Sequence, residues 1–568
     1  MRTRPNILLI LTDQQRYPTA YEPAELERWR REALAGERSL GETGVRFTRH
    51  YTMAIACAPS RASLLTGQYP SLHGVTQTDG LGKSPTDDDM FWLSPTEVPT
   101  LGHWFRAGGY RTFYKGKWHA SHAALDDPNG DGPLLSIDDE GVPNEEHVQA
   151  YLDADLLDPF GFSEWVGPEP HGLGRHNMGA VKDAFTADET VALLERLGRD
   201  ESDQPWLSVC SFLNPHDIAF FGLVGLTQGL RFHPSEVPSI PKPPTHDEDL
   251  STKPACQETY AQEWKRIGAP QPWIEAHRKF YFQSQHAVDE QIGRVLDALR
   301  ASGDYENTIV VFSSDHGDML GAHGGMHEKW HNAYEEAIHV PFVVAGPPVP
   351  DGGRSVDVPT SQADLVPTLL GFAAIDQDEA RAALTATHTE TRPLPGRDLS
   401  PVVLAAEDGP TDPVLFVTDD EISEGAGSGG ASPFAKVAKK LKTYSTIAQP
   451  NHIQTVVAEV EVDGAPHLVK LSRYFDNAQF WTVPGDHDVR LHRRATTTVT
   501  EPVADEYELY DVTADPLEER NLAHPSHATD ATRALQAHML DLLVEQLDAK
   551  RLVPSTGEVP GYRPPVAV

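Results

Sequence analysis

Along the first two thirds of the chain, short unbroken apolar runs alternate with stretches in which apolar residues recur every three or four positions. Unbroken runs fit strands covered on both faces and the longer repeat fits helices, so the pattern predicts an α/β domain on a mainly parallel sheet. Residues 6–11, NILLIL, predict the first strand. A helix is expected from Pro59 to a stop at Gly67, because proline suits the first helical turn and glycine the position past the last. Thr100 opens another, with a strand at 110–115 after it. Thr186 and Glu189 stand at capping-box spacing ahead of Val191, Leu194 and Leu197, which predicts a helix start at Thr186. Strands are expected at 206–213 and 308–312, with a helix over 280–301 between them.

From 219 to 276 the chain is rich in proline and aromatic residues without a clean period, which predicts an irregular excursion over the site, in the manner of a lid. A turn-rich stretch from Gly396 to Pro401 precedes a change of character: a strand-like run at 414–417, then a loop from Gly425 to Gly430. Residues 453–462 and 467–471 flank Asp463 and Gly464 as a hairpin. Leu535, Met539, Leu542, Leu543 and Leu547 form the stripe of a terminal helix that packs on that sheet. At 568 residues the chain exceeds what one core supports. The expected architecture is a catalytic domain over 1–405, with a large mixed, mainly parallel sheet sandwiched by helices. A smaller C-terminal α+β subdomain follows over 406–568, with an antiparallel sheet and the terminal helix.

Charge narrows the partners. A formal net charge of -37 repels polyanions, which excludes nucleic acid, an anionic membrane surface or a long polysulfated chain, yet lets a small anion enter a locally positive pocket. The three cysteines, Cys57, Cys210 and Cys256, are too few for a disulfide framework and fit a reducing compartment. Cys210 lies in an apolar run and is expected in the core. The start, MRTRPNILLILT, has the basic-then-apolar order of a leader, but Asp13 and Gln14 interrupt it and no cleavage site follows. With no run of eighteen apolar residues either, a soluble, cytoplasmic protein is expected.

Four polar groups follow four predicted strands: Asp13, then Lys117 with His119, then His216, then Asp315 with His316. The carboxyl edge of an open α/β sheet is where ligands bind, so these groups are expected to share one site.

Cys57-Ala58-Pro59-Ser60-Arg61 continues to Leu65-Thr66-Gly67. Here the sequence resembles the type I sulfatases of the alkaline phosphatase superfamily, whose signature is C-x-P-S-R followed by L-T-G. Seven such identities arise by chance on the order of once in 10⁹ positions. The resemblance continues through Asp13, Gly116-Lys117-Trp118-His119, Asn214-Pro215-His216, Ser314-Asp315-His316-Gly317, Glu508-Leu509-Tyr510-Asp511, Asp515-Pro516 and Asn521-Leu522. It implies hydrolysis of aryl or alkyl sulfate monoesters after a formylglycine-generating enzyme has oxidised Cys57 to formylglycine. The chemistry of that change is plain. A serine that attacked a sulfate ester would be left as a stable ester, whereas an aldehyde hydrate has two hydroxyls, one to attack sulfur and one to expel sulfate by breaking carbon to oxygen.

The resemblance also implies one divalent cation held by Asp13, Gln14, Asp315, His316 and the modified Cys57, with calcium first and manganese or magnesium open. Many sulfatases carry two adjacent acids at the first strand and aspartate-asparagine at the later one. Gln14 and His316 depart from that and partly resemble choline-sulfatases and phosphonate monoester hydrolases. Carried over residue by residue, Asp315 takes the proton of the attacking hydroxyl and Arg61 orients the hydrate. Lys117 binds sulfate oxygens, and His119 deprotonates the second hydroxyl. His216, with Lys329, protonates the leaving oxygen. Lys329 lies in a polar stretch with His323, His327 and His331.

The nearest rival is phosphonate monoester or phosphodiester hydrolysis on the same architecture; the Gly-Lys-Trp-His segment and Ser60 favour sulfate. A second rival is a non-catalytic anion-binding homologue that keeps Cys57 as a thiol. Asp127, Asn129, Asp131 and Gly132 match the start of an EF-hand loop, but Asp138 replaces its closing glutamate, so an Asx-rich turn is expected. Asp87 to Asp89 are expected to form a solvated loop.

Overall fold

The computed structural model describes residues 4–80, 83–87, 90–130, 132–172, 174–221, 237–267, 274–350, 352–405, 407–421, 447–480, 487–490 and 496–555. Seven strands build the large sheet: β1 (Asn6–Asp13), β2 (Val45–Tyr51), β3 (Arg111–Gly116), β4 (Trp206–Pro215), β5 (Thr308–Ser314), β6 (Phe342–Ala345) and β7 (Arg354–Ser361). Their order is β3-β4-β1-β5-β6-β2-β7. β1 pairs in parallel with β4 and β5, β3 with β4, and β2 with β7, so β6, antiparallel to both β5 and β2, alone runs against the rest.

All eight residues of β1 are buried, and the two-residue period of a strand divides them between two cores. Ile7, Leu9 and Leu11 pack with Leu64, Trp104, Phe105 and Leu369. Leu8 and Ile10 pack on the other face with Leu193, Leu197, Val288 and Ile292, from the helices Gly179–Leu197 and Glu275–Ser302. Each such side chain contributes about 1.5–3 kcal/mol by leaving water. This doubly covered sheet is the architecture expected, and Cys210 lies in its core.

The second sheet has the order β13-β10-β9-β8, from β8 (Val414–Thr418), β9 (His452–Val462), β10 (Ala465–Phe475) and β13 (Glu506–Asp511); β11 (His487–Arg490) and β12 (Thr496–Val499) pair separately. The β9–β10 hairpin turns at Asp463 and Gly464, both left-handed at φ 51 and 82, as a two-residue turn between twisted strands requires. The terminal helix Asp530–Lys550 buries Met539 and Leu543 against Val456, Leu471 and Leu509 of this sheet. Tyr334, Tyr474 and Tyr510 all donate to the carboxylate of Glu508, tying β10 and β13 to the loop that carries Lys329.

Three expectations change. The helix expected to start at Thr186 begins at Gly179, and Thr186 is buried in its middle. Its cap is Asp217, whose two carboxylate oxygens accept the N–H groups of Gly179 and Ala180 at 2.8 Å, a partner 37 or more residues away that no local spacing reveals. The helix expected from Pro59 starts at Cys57, since a proline in the first turn lacks only an N–H that has no intrahelical acceptor. The described part of the expected excursion is not irregular throughout. It contains the helix Ala255–Ile267, whose Gln257 donates to Glu508 and whose Tyr260 donates to His327 O. Gly425 to Gly430, Asp88, Asp89 and Asp131 lie outside the described residues. Asp127 and Asp138 each accept nearby backbone N–H groups, the Asx turns expected.

Candidate active site

The order β3-β4-β1-β5 sets four carboxyl ends side by side, and each strand leads straight into a candidate site residue. β1 ends in Asp13, β3 runs through Gly116 into Lys117, β4 into His216, and β5 into Asp315. Lys117 Nζ lies 2.7 Å from Asp13 Oδ2, and His216 Nδ1 lies 3.1 Å from Asp13 Oδ1. Gly116 has φ 89, and a Cβ there would stand 2.0 Å from Ser211 O, so the turn into Lys117 needs glycine.

Cys57 is the first residue of the helix Cys57–Thr66, all ten residues of which are buried, and the helix stops at Gly67 with φ 66. Its Sγ stands 3.0 Å from His316 Nε2 and 3.8 Å from Asp13 Oδ1. Burial and Asp13 push the thiol up, but Lys329, Lys117 and His316 outweigh them and hold it well below its ordinary range. The position therefore favours an anion at a helix N-terminus.

Arg61 clamps the two acids. Its Nη2 donates to Asp13 Oδ2 at 2.9 Å and its Nε to Asp315 Oδ2 at 3.0 Å, while Nη1 donates to Lys117 O and Ser211 Oγ. The guanidinium thus orients the carboxylates rather than contacting Cys57 through a hydrogen bond. Burial raises the proton affinity of both acids, but Lys117, His216 and Arg61 together hold Asp13 well below the usual carboxylate range. Asp315 is raised, by burial and then by Asp13 itself. Two adjacent acids pushed apart in this way suit a permanent anion beside a proton acceptor.

The ligand atoms of Asp13, Cys57, Asp315 and His316 all lie within 4.8 Å of one another. His316 Nδ1 faces Gly317 O at 2.9 Å, which fixes that nitrogen as the donor and leaves the Nε2 lone pair toward the cluster. Two carboxylates and a correctly oriented imidazole fit a divalent cation. Gln14 borders the cluster differently. Its Oε1 faces Lys329 Nζ at 3.0 Å and His216 Nδ1 at 3.2 Å, and its Nε2 donates to Asp318 and Glu328. In this geometry its carbonyl serves cationic donors at the rim of the acid cluster. Lys329 is buried beside it and also binds Glu328 at 3.0 Å.

His119 is held at both ring and backbone. Its Nε2 is 2.6 Å from Asp79 Oδ1, and Asp79 Oδ2 is 2.8 Å from His171 Nδ1. The N–H groups of Trp118 and His119 both donate to Glu169 Oε1 at 3.0 Å. Burial weakens the imidazolium, but Asp79 more than compensates, with a smaller rise from the Cys57 sulfur, and the ring is pushed up to about 9. Every site residue expected from the sequence is in this region. The sequence reading missed Asp79, Glu169, His171, Glu328 and Asp420. Thr78-Asp79-Gly80 has the composition of any turn, and nothing along the chain distinguishes it from one.

Comparison with known proteins identifies the family. The Sulfatase family model matches residues 5–375. The chain is 29% identical over 394 residues to the uncharacterized sulfatase YidJ of Escherichia coli (strain K12), covering 66% of this chain and 69% of that protein. It is 27% identical over 394 residues to the choline-sulfatase of Rhizobium meliloti (strain 1021), with the same coverage. Its fold matches the solved structure of a 2-O GAG sulfatase with a TM-score of 0.58 at 20% identity, over 99% of both chains. A family match over most of the chain, with the signature cysteine placed among the acids and bases of the sheet edge, leads to one conclusion: the chain belongs to the sulfatase family and is a hydrolase of sulfate monoesters.

Proposed function

We propose that the hydrolysis is carried out by formylglycine at position 57, formed by oxidation of Cys57 by a formylglycine-generating enzyme, on a small aryl or alkyl sulfate. The observation that carries this reading is the place of Cys57. It is the first residue of a buried helix, beside Asp13, Asp315 and His316 and under the electrostatic influence of Lys117 and Lys329. Lys117 and Lys329 give a sulfate anion local cationic partners although the chain as a whole carries -37.

Asp315, the acid with raised proton affinity, takes the proton from the attacking hydroxyl of the residue 57 hydrate. Lys117 holds sulfate oxygens. His216 hydrogen-bonds Asp13 through Nδ1, and with Lys329 it donates the proton to the departing alcohol oxygen. His119 takes the proton of the second hydroxyl as sulfate leaves; loss of the Cys57 sulfur on oxidation removes one of the influences that keep its ring protonated. Asp13, Asp315 and His316, with residue 57, would hold a divalent cation, calcium first, and Gln14 stands at its edge. Such a cation supplies Lewis acidity, lowering the pKa of the nucleophilic hydroxyl and neutralising sulfate oxygens.

The test is mass spectrometry of the residue 57 peptide from protein made with and without the maturing enzyme. Activity on nitrophenyl sulfate is expected to rise in proportion to the aldehyde fraction. Full turnover by protein whose Cys57 is intact, with residual aldehyde excluded, would overturn the reading.

A further inference from the structure

We propose that Asp79 is the positioning residue of His119, fixing the ring so that Nδ1 takes the proton when sulfate leaves residue 57. The proposal rests on the assignment of His119 to that step.

Both oxygens of Asp79 are engaged, Oδ1 with His119 Nε2 at 2.6 Å and Oδ2 with His171 Nδ1 at 2.8 Å, and the side chain is 3% exposed. An ionised carboxylate only accepts, so Nε2 of His119 must carry a hydrogen, and in the neutral ring the lone pair then belongs to Nδ1. That atom is buried and has no hydrogen-bond partner among the described residues. A buried polar atom without a partner calls for a reason, and the second hydroxyl of residue 57 supplies one. The backbone is fixed as well: His119 sits at φ 51, in the left-handed region, with its N–H on Glu169. Glu169 and His171 thus fix the main chain of His119 and the carboxylate that holds its ring from a single stretch. Asp420 binds the remaining distance. One of its oxygens accepts from Thr78 N at 3.1 Å, next to Asp79, and the other from Ala56 N at 2.9 Å, next to Cys57.

The step balances without a further reagent. Nδ1 takes the hydroxyl proton, the freed oxygen pair forms the aldehyde C=O, and the bond from Cβ to the sulfate oxygen breaks with its electron pair on departing sulfate. Water then rehydrates the aldehyde as His119 loses its proton.

The substitution Asp79→Asn keeps size but offers one acceptor where two ring N–H groups each need one, so the ring is free to adopt the other tautomer. With matured enzyme and nitrophenyl sulfate, kcat is expected to fall by about 10²- to 10⁴-fold. KM should fall alongside, leaving kcat/KM within about threefold of the parent, because sulfation of the enzyme precedes the blocked step. Enzyme quenched at steady state should carry one SO₃ group by intact mass, and Asp79→Ala should do the same if it folds. A merely structural role would lower kcat/KM and leave no sulfated enzyme, which would overturn the proposal, as would parental kcat in Asp79→Asn. His119→Ala separates the two levels. If it accumulates sulfated enzyme and the Asp79 variants do not, the positioning role alone is wrong. If it does not accumulate, the assignment of His119 to sulfate release is wrong, and the proposal goes with it.

Discussion

Asp420 Oδ2 lies 2.9 Å from the backbone nitrogen of Ala56, so the peptide ahead of Cys57 is held by a residue that follows β8 of the small sheet. The second sheet therefore takes part in shaping the surroundings of Cys57.

Replacing Asp420 with alanine would leave the N–H of Ala56, which is fully buried, without its acceptor. An unpaired buried group costs about 1–3 kcal/mol, and a small displacement of the nucleophile proposed at residue 57 costs on the order of 10²-fold in rate. A lower denaturation midpoint together with a fall in kcat/KM is expected. Melting and steady-state kinetics on one preparation check both, and unchanged values in each would show that this bond positions nothing.

Arg61→Lys is expected to weaken metal binding. Lysine keeps the charge but cannot donate at once to Asp13, Asp315, Ser211 and Lys117 O as the guanidinium does. Groups that orient ligands are typically worth about 10- to 100-fold in metal affinity. Calcium titration calorimetry on the metal-stripped parent and variant measures the ratio. Equal affinities would mean that the two carboxylates hold their places without the clamp.

His323 makes stability fall in mild alkali. Burial disfavours its charge, but Glu248 at 2.8 Å and Glu336 at 3.8 Å push it up to about 9. A folded-state value above the unfolded one means stabilisation that is fully present below about pH 6.5 and lost as pH rises through 9, worth on the order of 3 kcal/mol. Melting temperature should drop between pH 7 and 9.5 in the parent and much less in His323→Gln. Parallel curves for the two proteins would remove His323 as the cause.

The parts that were legible in the sequence are those governed by local chemistry. β1 was readable because eight residues buried on both faces must all be apolar or paired, and the stop at Gly67 because a left-handed residue there favours glycine. The shared edge was readable because parallel neighbours place Asp13, Lys117, His216 and Asp315 at equivalent ends. What escaped was held from afar. Asp217 caps a helix that starts at Gly179, Asp79 finds His119 across 40 residues, and Asp420 finds Ala56 across 364. Each is an acid in a turn-like setting, and only the tertiary fold shows which N–H it serves. Gln14 shows the same limit, since its type permits ligation while its partners, Asp318, Glu328, Lys329 and His216, become visible only in three dimensions.

The role of His216 can be separated from sulfate binding by changing the leaving group. Burial and Lys117 both weaken its imidazolium, yet Asp13 reverses them and raises the ring above its ordinary value, which favours the protonated form that a proton donor needs. Its Nδ1 is occupied by Asp13 and Gln14 Oε1, which leaves Nε2 as the nitrogen for the departing oxygen, and the side chain is 20% exposed. An alkoxide needs that proton as the sulfur to oxygen bond breaks, whereas nitrophenolate leaves as a stable anion. His216→Ala should therefore lose about 10²- to 10⁴-fold on an alkyl sulfate and far less on nitrophenyl sulfate. A plot of log kcat/KM against leaving-group pKa should be steeper for the variant than for the parent. Loss of Asp13's partner would lower every substrate alike and shift the line without tilting it. Parallel lines would thus assign His216 to holding Asp13 or sulfate, and Lys329, buried beside Gln14 Oε1, would become the group to test as the acid.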